Sequence, residues 1–348
     1  MIRSLIFLSS GAFLGWSLGA NHAGIFWGTA IGTKMVKFRT AAILCSIFVI
    51  LGSVIGGGGV SSTLSQLGTI EHLAAAFTVA LAAAVTTYSM SKAGIPISTS
   101  QAVVGSIIGW NIYSGFGVDY LVLTKIASTW VVSPVLTGAI TYGLFKVVQH
   151  FINKSKVHMI TLDTWTRYGL VIVGIFGSYA LGANNIGNVM GVFVEANPFK
   201  EIELLNILVI DPTKVLFFVG GLAIAVGVAT FSKKVINTIG NNLYKFSPIT
   251  ALIVVLSVSI TMFLFSSSSL HDFLNSIGLP ALPLVPISAS QAIVGGIIGL
   301  GLARKNVDIN YNELGKIVIG WIVTPISAFL ICYISLYFME NVFLQVVN

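Results

Sequence analysis

Apolar residues run through this chain in long blocks, without the strict alternation of a half-buried strand. The blocks fall near residues 4–31, 40–60, 72–92, 98–113 and 121–148, then 166–194, 213–231, 248–270, 288–303 and 314–342. Most reach the roughly 20 residues that a helix needs to cross a ~30 Å hydrocarbon layer. No polar stretch between them is large enough for a separate soluble domain. The pattern therefore predicts one integral membrane domain, all-α and polytopic. The first block follows Arg3 as a secretory signal would, but its counterpart at 166–194 lies mid-chain, so both read as membrane segments.

Composition strengthens this picture. Apolar residues make up 55% of the chain and charged residues only 8%, against roughly 25% charged in an ordinary soluble domain. The net charge is +7, but the basic residues are scattered among short loops, so no nucleic-acid-binding face is predicted. Cys45 and Cys332 lie inside apolar blocks without metal-site spacing and read as packing residues.

The blocks also repeat. PISTSQAVVGSIIG at residues 96–109 returns as PISASQAIVGGIIG at 286–299. Leu18-Gly19-Ala20-Asn21 returns as Leu181-Gly182-Ala183-Asn184, and Trp130-Val131-Val132-Ser133-Pro134 as Trp321-Ile322-Val323-Thr324-Pro325. Three phrases in one order divide the chain into a repeat over 1–150, a cytoplasmic linker over 151–166 and a second repeat over 167–348. Lys and Arg mark cytoplasmic loops. Lys34, Lys37 and Arg39 place the loop after the first segment inside, whereas its equivalent in the second half carries Glu195, Glu201, Glu203 and Asp211 against Lys200 and Lys214. Lys233, Lys234 and Lys245, then Arg304 and Lys305, mark later inside loops, and Lys146, Lys154, Lys156 and Arg167 hold the linker inside. About five segments per half thus give two repeats of inverted topology, with both termini extracytoplasmic. Such repeats point to a transporter whose site lies at the midplane and is built from broken helices. A channel and a purely structural duplication are the alternatives.

The repeated phrases carry the candidate chemistry. The blocks beginning Pro-Ile-Ser-x-Ser-Gln are short and read as re-entrant helices starting within the membrane. A helix start offers unpaired N–H groups and the positive end of the dipole to an anion. Ser98, Thr99, Ser100, Ser288 and Ser290 add hydroxyl donors there, and Gln101 and Gln291 can donate to an oxyanion or accept a cation through the carbonyl. The competing reading is a capped helix end beside Gly-mediated packing, with Gly105, Gly109, Gly295 and Gly299 at small-xxx-small spacing. Gly19-Ala20-Asn21 and Gly182-Ala183-Asn184 are expected to unwind their helices mid-membrane, leaving carbonyls and Asn21 and Asn184 as cation ligands. An Asn that merely bridges two helices is the alternative there.

Together these residues resemble the PiT family of inorganic phosphate transporters, whose signature in each half is Gly-Ala-Asn-Asp, a small residue, Ala, Asn and Ala. The resemblance covers almost the whole chain: the Gly-Ala-Asn triplets, both Ser-x-Ser-Gln phrases and the Trp-x-Val-Ser/Thr-Pro phrases match in order. It implies a homodimeric, inverted-repeat carrier in the cell membrane that takes up phosphate, driven by Na⁺ or in some members H⁺, with a few members carrying sulfate. The signature Asp is His22 in the first half and Asn185 in the second, and the later Asn is Ile25 in the first half and Asn188 in the second. Both intramembrane carboxylates of the signature are thus absent, which opens the coupling ion to question. The expected substrate contacts are Ser98, Thr99, Ser100, Gln101, Ser288, Ser290, Gln291, Asn21, Asn184 and His22. The expected cation ligands are Asn21, Asn184, Asn185, Asn188, Gln101 and Gln291, with His22 a candidate for proton coupling.

No enzyme is predicted. The acidic residues fall nearly all in loops or at block ends, without a carboxylate pair set for acid–base work, a P-loop or a metal-ligand cluster. Beside a cation-coupled phosphate importer, a sulfate permease of the same fold, an uncoupled anion channel and a sensor that binds without moving its anion remain as readings.

Overall fold

A computed structural model describes residues 2–92, 97–155, 158–204, 208–230, 247–304 and 311–348. Pro96, Lys156, Lys233, Lys234, Lys245 and Lys305, used above, lie outside the described residues. Among the described residues the chain forms twelve α-helices. The first half holds α1 (Ile2–Gly32), α2 (Phe38–Gly56), α3 (Gly58–Leu67), α4 (Leu73–Lys92), α5 (Thr99–Ser114) and α6 (Tyr120–Lys154). The second holds α7 (Met159–Met190), α8 (Pro212–Thr230), α9 (Pro248–Leu264), α10 (Ser268–Ser276), α11 (Ala289–Arg304) and α12 (Tyr311–Asn341).

Among the described residues six helices are long and apolar enough to cross a membrane, and α9 with α10, bent by 68°, makes a seventh as a broken span. Chain composition explains why they are helices: α4 is rich in Ala, the best helix former, and α9 opens with a Ser247 cap and Pro248 at its first position. Apolar residues also cover the outside, where Val131, Val135, Ile172 and Ile326 are more than half exposed, as a lipid-facing surface requires. At 16 residues each, α5 and α11 span only about 24 Å and fall short of a full crossing.

Apart from α3 and α10, short helices that no apolar block predicted, two details differ from the pattern reading. The acidic segment after α7 contains a small antiparallel ribbon, β1 (Ile202–Leu204) and β2 (Leu208–Ile210), in which Glu203 pairs with Val209. The expected linker over 151–166 is mostly helical, because α6 runs to Lys154 and α7 begins at Met159.

Each half packs mainly on the other. α1 lies against α8 and α7 against α2; α5 lies against α12 and α11 against α6. Within the halves, α1 with α4 and α7 with α9 repeat one another, as do α4 with α5 and α9 with α11. This reciprocity is what an approximate two-fold relation between repeats produces. Apolar burial drives little association between helices already in lipid, so the crossings depend on close backbone approach. A methyl group on Gly19 would run into the Ile224 carbonyl of α8, and one on Gly182 into the Val49 carbonyl of α2.

Those two glycines correct the expectation of unwinding. α1 and α7 remain helical through Gly19-Ala20-Asn21 and Gly182-Ala183-Asn184. The small residues serve the crossings with α8 and α2, and a glycine held in helical geometry by a tight neighbour has no reason to uncoil.

Candidate functional site

Ser98 caps α5, its Oγ accepting from the Gln101 amide at 3.3 Å, and Ser288 does the same for Gln291 at 3.3 Å before α11. The two repeated phrases are therefore helix starts, as their spacing predicts. Tertiary packing then brings them together. Ser100 Oγ donates to the main-chain carbonyl of Ile287, one residue before the second cap, at 3.3 Å. Both tips lie beside the second-half triplet on α7.

That triplet knits the site. Asn188 Nδ2 donates to Ser100 Oγ at 2.9 Å and to Asn185 Oδ1 at 3.2 Å, while Asn185 Nδ2 donates back to the Leu181 carbonyl at 3.1 Å. With its amide turned to satisfy both groups, Asn184 donates to Ile287 O at 2.9 Å and accepts from Ile287 N at 3.2 Å. Ser288 and Ser290 share a hydroxyl hydrogen bond of 2.9 Å. One connected cluster thus contains Ser100, Asn184, Asn185, Asn188 and the backbone of Ile287. Thr99, Gln101 and Gln291 are buried at the same helix starts.

The cluster is closed to solvent: Asn184 and Asn188 are 0% exposed and Gln101 is 3% exposed. It is also neutral, made of amides, hydroxyls and backbone. Three side-chain amide oxygens, Gln101 Oε1, Gln291 Oε1 and Asn188 Oδ1, are buried without a hydrogen-bond partner among the described residues. Native proteins leave few buried polar atoms unsatisfied, since each costs about 1–3 kcal/mol. An open amide oxygen is able to accept from a donor or to hold a cation.

The first-half triplet is arranged differently. Asn21 donates to the Ser17 carbonyl at 2.9 Å and accepts from Ser91 Oγ of α4 at 2.9 Å, so it bridges two helices. His22 is buried, with Nδ1 3.1 Å from the Leu18 carbonyl; a carbonyl only accepts, so Nδ1 carries the hydrogen. Among the described residues no hydrogen bond joins Asn21 or His22 to the cluster. Sequence reading did not single out Ile287, whose main chain is the hub. Its position just before the cap was the available signal, but a backbone contact leaves no mark in residue type.

A profile of the phosphate transporter family matches residues 18–280 and 282–348, nearly the whole chain. The chain belongs to the phosphate transporter family. It is therefore a multi-span membrane protein of a transporter family and not an enzyme. It is 27% identical over 322 residues to a permease of Methanocaldococcus jannaschii named for phosphate, covering 92% of this chain and 93% of that one. It is 28% identical over 329 residues to the sulfate permease CysP of Bacillus subtilis, covering 92% and 84% of the two chains. A solved structure, the sodium-dependent phosphate transporter, shares the fold with a TM-score of 0.76 at 20% identity, covering 98% of this chain and 99% of that one.

Proposed function

We propose that this protein is a secondary carrier that imports inorganic phosphate together with a cation, Na⁺ in preference to H⁺. The observation that carries the reading is the meeting of the two Ser-x-Ser-Gln helix starts, Ser100 Oγ against the Ile287 carbonyl. Two positive helix ends meeting in one buried cluster suit an oxyanion. Ser98, Thr99, Ser100, Ser288, Ser290 and the amide donors of Gln101 and Gln291 line its approach. A charge-assisted hydrogen bond contributes roughly 1.5–3 kcal/mol, so several are needed to offset the anion's lost hydration. The cation belongs beside the amide oxygens of Asn184, Asn185 and Asn188, of which Asn188 Oδ1 is open. Asn21 and His22 form their bonds elsewhere and receive no ligand role in this reading.

Coupling follows from neutrality. A site without positively charged side chains leaves the anion's charge uncompensated, and a co-bound cation reduces that cost during passage. A tenfold Na⁺ gradient supplies about 1.4 kcal/mol per ion, enough for a tenfold phosphate ratio. Alternating access is rocking of one inverted repeat against the other about the cluster, with both termini outside, in a homodimer embedded in the lipid of the cell membrane. A fold relative described as sodium-dependent supports the choice of Na⁺. Uptake of labelled phosphate into liposomes holding the purified protein tests this: accumulation that is equally fast with and without an inward Na⁺ gradient removes sodium coupling, and a response to a pH gradient replaces it with H⁺.

Sulfate is the second reading, favoured by the neutral cluster and by the sulfate permease among the relatives. Competition between the two anions for uptake separates them.

A further inference from the structure

Six tryptophans occur in the chain. Trp16 donates its indole N–H to Thr230 at 3.0 Å, Trp27 to Ser178 at 2.9 Å and Trp110 to the Val347 carbonyl at 2.8 Å, while Trp165 is 61% exposed. The remaining two, Trp130 and Trp321, each bury Nε1 without a hydrogen-bond partner among the described residues. They occupy equivalent places in the two repeats, so the orphaned donor is a property of the design and not of one local accident.

The orphaned acceptors lie abreast of them. Gly105 of α5 packs on Pro325 of α12, and Gly109, one turn further along, on Phe329. Stepping back one turn on each helix brings Gln101 level with Trp321. In the other half, Gly295 of α11 packs on Pro134 of α6 and Gly299 on Gly138. The same step brings Gln291 level with Trp130. Each of these two crossings between the repeats therefore brings an unpartnered N–H donor from one repeat to the level of an unpartnered amide oxygen from the other, at the start of the helix already placed at the anion site.

A cation would satisfy the amide oxygen and be repelled by the N–H dipole. A bare anionic oxygen would do the reverse. One guest atom meets both demands: a hydroxyl oxygen that accepts from the indole and donates to the amide. Resting on the phosphate reading above, we infer that Gln101 with Trp321, and Gln291 with Trp130, form brackets that read the P–OH hydrogen of phosphate. Phosphate near neutral pH carries at least one such hydrogen, and sulfate carries none. The brackets make these four residues the basis of phosphate-over-sulfate selection in a site without a carboxylate to do it.

Calorimetric titration of the purified full chain with inorganic phosphate and with inorganic sulfate, in Na⁺ buffer, tests this. The wild type should prefer phosphate. Gln101→Met and Gln291→Met should each weaken phosphate about tenfold more than sulfate, since both anions lose the amide donor but only phosphate loses the acceptor, while Trp130→Phe and Trp321→Phe weaken both anions about tenfold, the scale of one bond to a charged guest. Gln variants that change both anions equally, or Trp variants that change neither, overturn the inference and leave the phosphate reading standing. A wild type that prefers sulfate overturns the inference but not an oxyanion carrier, and one that binds neither anion overturns both. Should a variant not fold, ultraviolet resonance Raman of the wild type supplies the readout. Phosphate should shift the indole N–H marker of two of the six tryptophans toward stronger hydrogen bonding, and an unchanged marker refutes the bracket.

Discussion

Removing the hydroxyl of Ser100 probes the contact on which the site depends. Ser100 Oγ takes a 2.9 Å bond from Asn188 Nδ2 and gives a 3.3 Å bond to Ile287 O, so Ser100→Ala deletes both at once. Neutral hydrogen bonds contribute roughly 0.5–1.5 kcal/mol each. Neither partner is fully orphaned: Asn188 Nδ2 keeps Asn185 Oδ1 at 3.2 Å and Ile287 O keeps Asn184 at 2.9 Å. The loss should therefore be about 1–2 kcal/mol, seen as roughly 5- to 30-fold weaker phosphate binding because the site must assemble without its tie between halves. Asn188→Ala removes the same bond from the other side, so the double variant should fall short of the sum by about 1 kcal/mol. Phosphate titration and the apparent melting temperature, measured on both single variants and the double in one detergent, complete the cycle. Energies that add within about 0.3 kcal/mol in both assays would refute the coupled cluster.

Three further outcomes are expected. Gly19→Leu and Gly182→Leu should abolish a monodisperse peak in size exclusion, since each side chain enters a carbonyl of the crossing helix, while Gly28→Ala, with nothing within 4 Å of its new methyl, should run as wild type. Asn185→Ala should weaken phosphate at least fivefold, as it removes an acceptor for Asn188, whereas Asn21→Ala, bonded to Ser17 and Ser91, should stay within about twofold. Replacing Na⁺ with choline should lower both phosphate affinity and melting temperature, by the linkage that a co-bound cation imposes, and equal values in the two salts would count against a sodium site.

The sequence alone determined ten of the twelve described helices, their approximate limits and the duplication, because membrane-length apolar blocks and repeated phrases are local or periodic signals; the short α3 and α10 left no such signal. It also located the caps at Ser98 and Ser288, since an N-cap is decided within four residues. Which phrases touch was decided only by tertiary packing. Ser100 meets Ile287, 187 residues away, because the helices of one repeat lie in the crossings of the other. The same packing kept α1 and α7 helical at Gly19 and Gly182, where small residues in isolation permit uncoiling. It also left the two halves unequal, with Asn184, Asn185 and Asn188 tied into the cluster and Asn21 turned to α4. Residue types state what a side chain is able to bond, and only the fold selects, among the partners brought within about 3 Å, the ones it does bond.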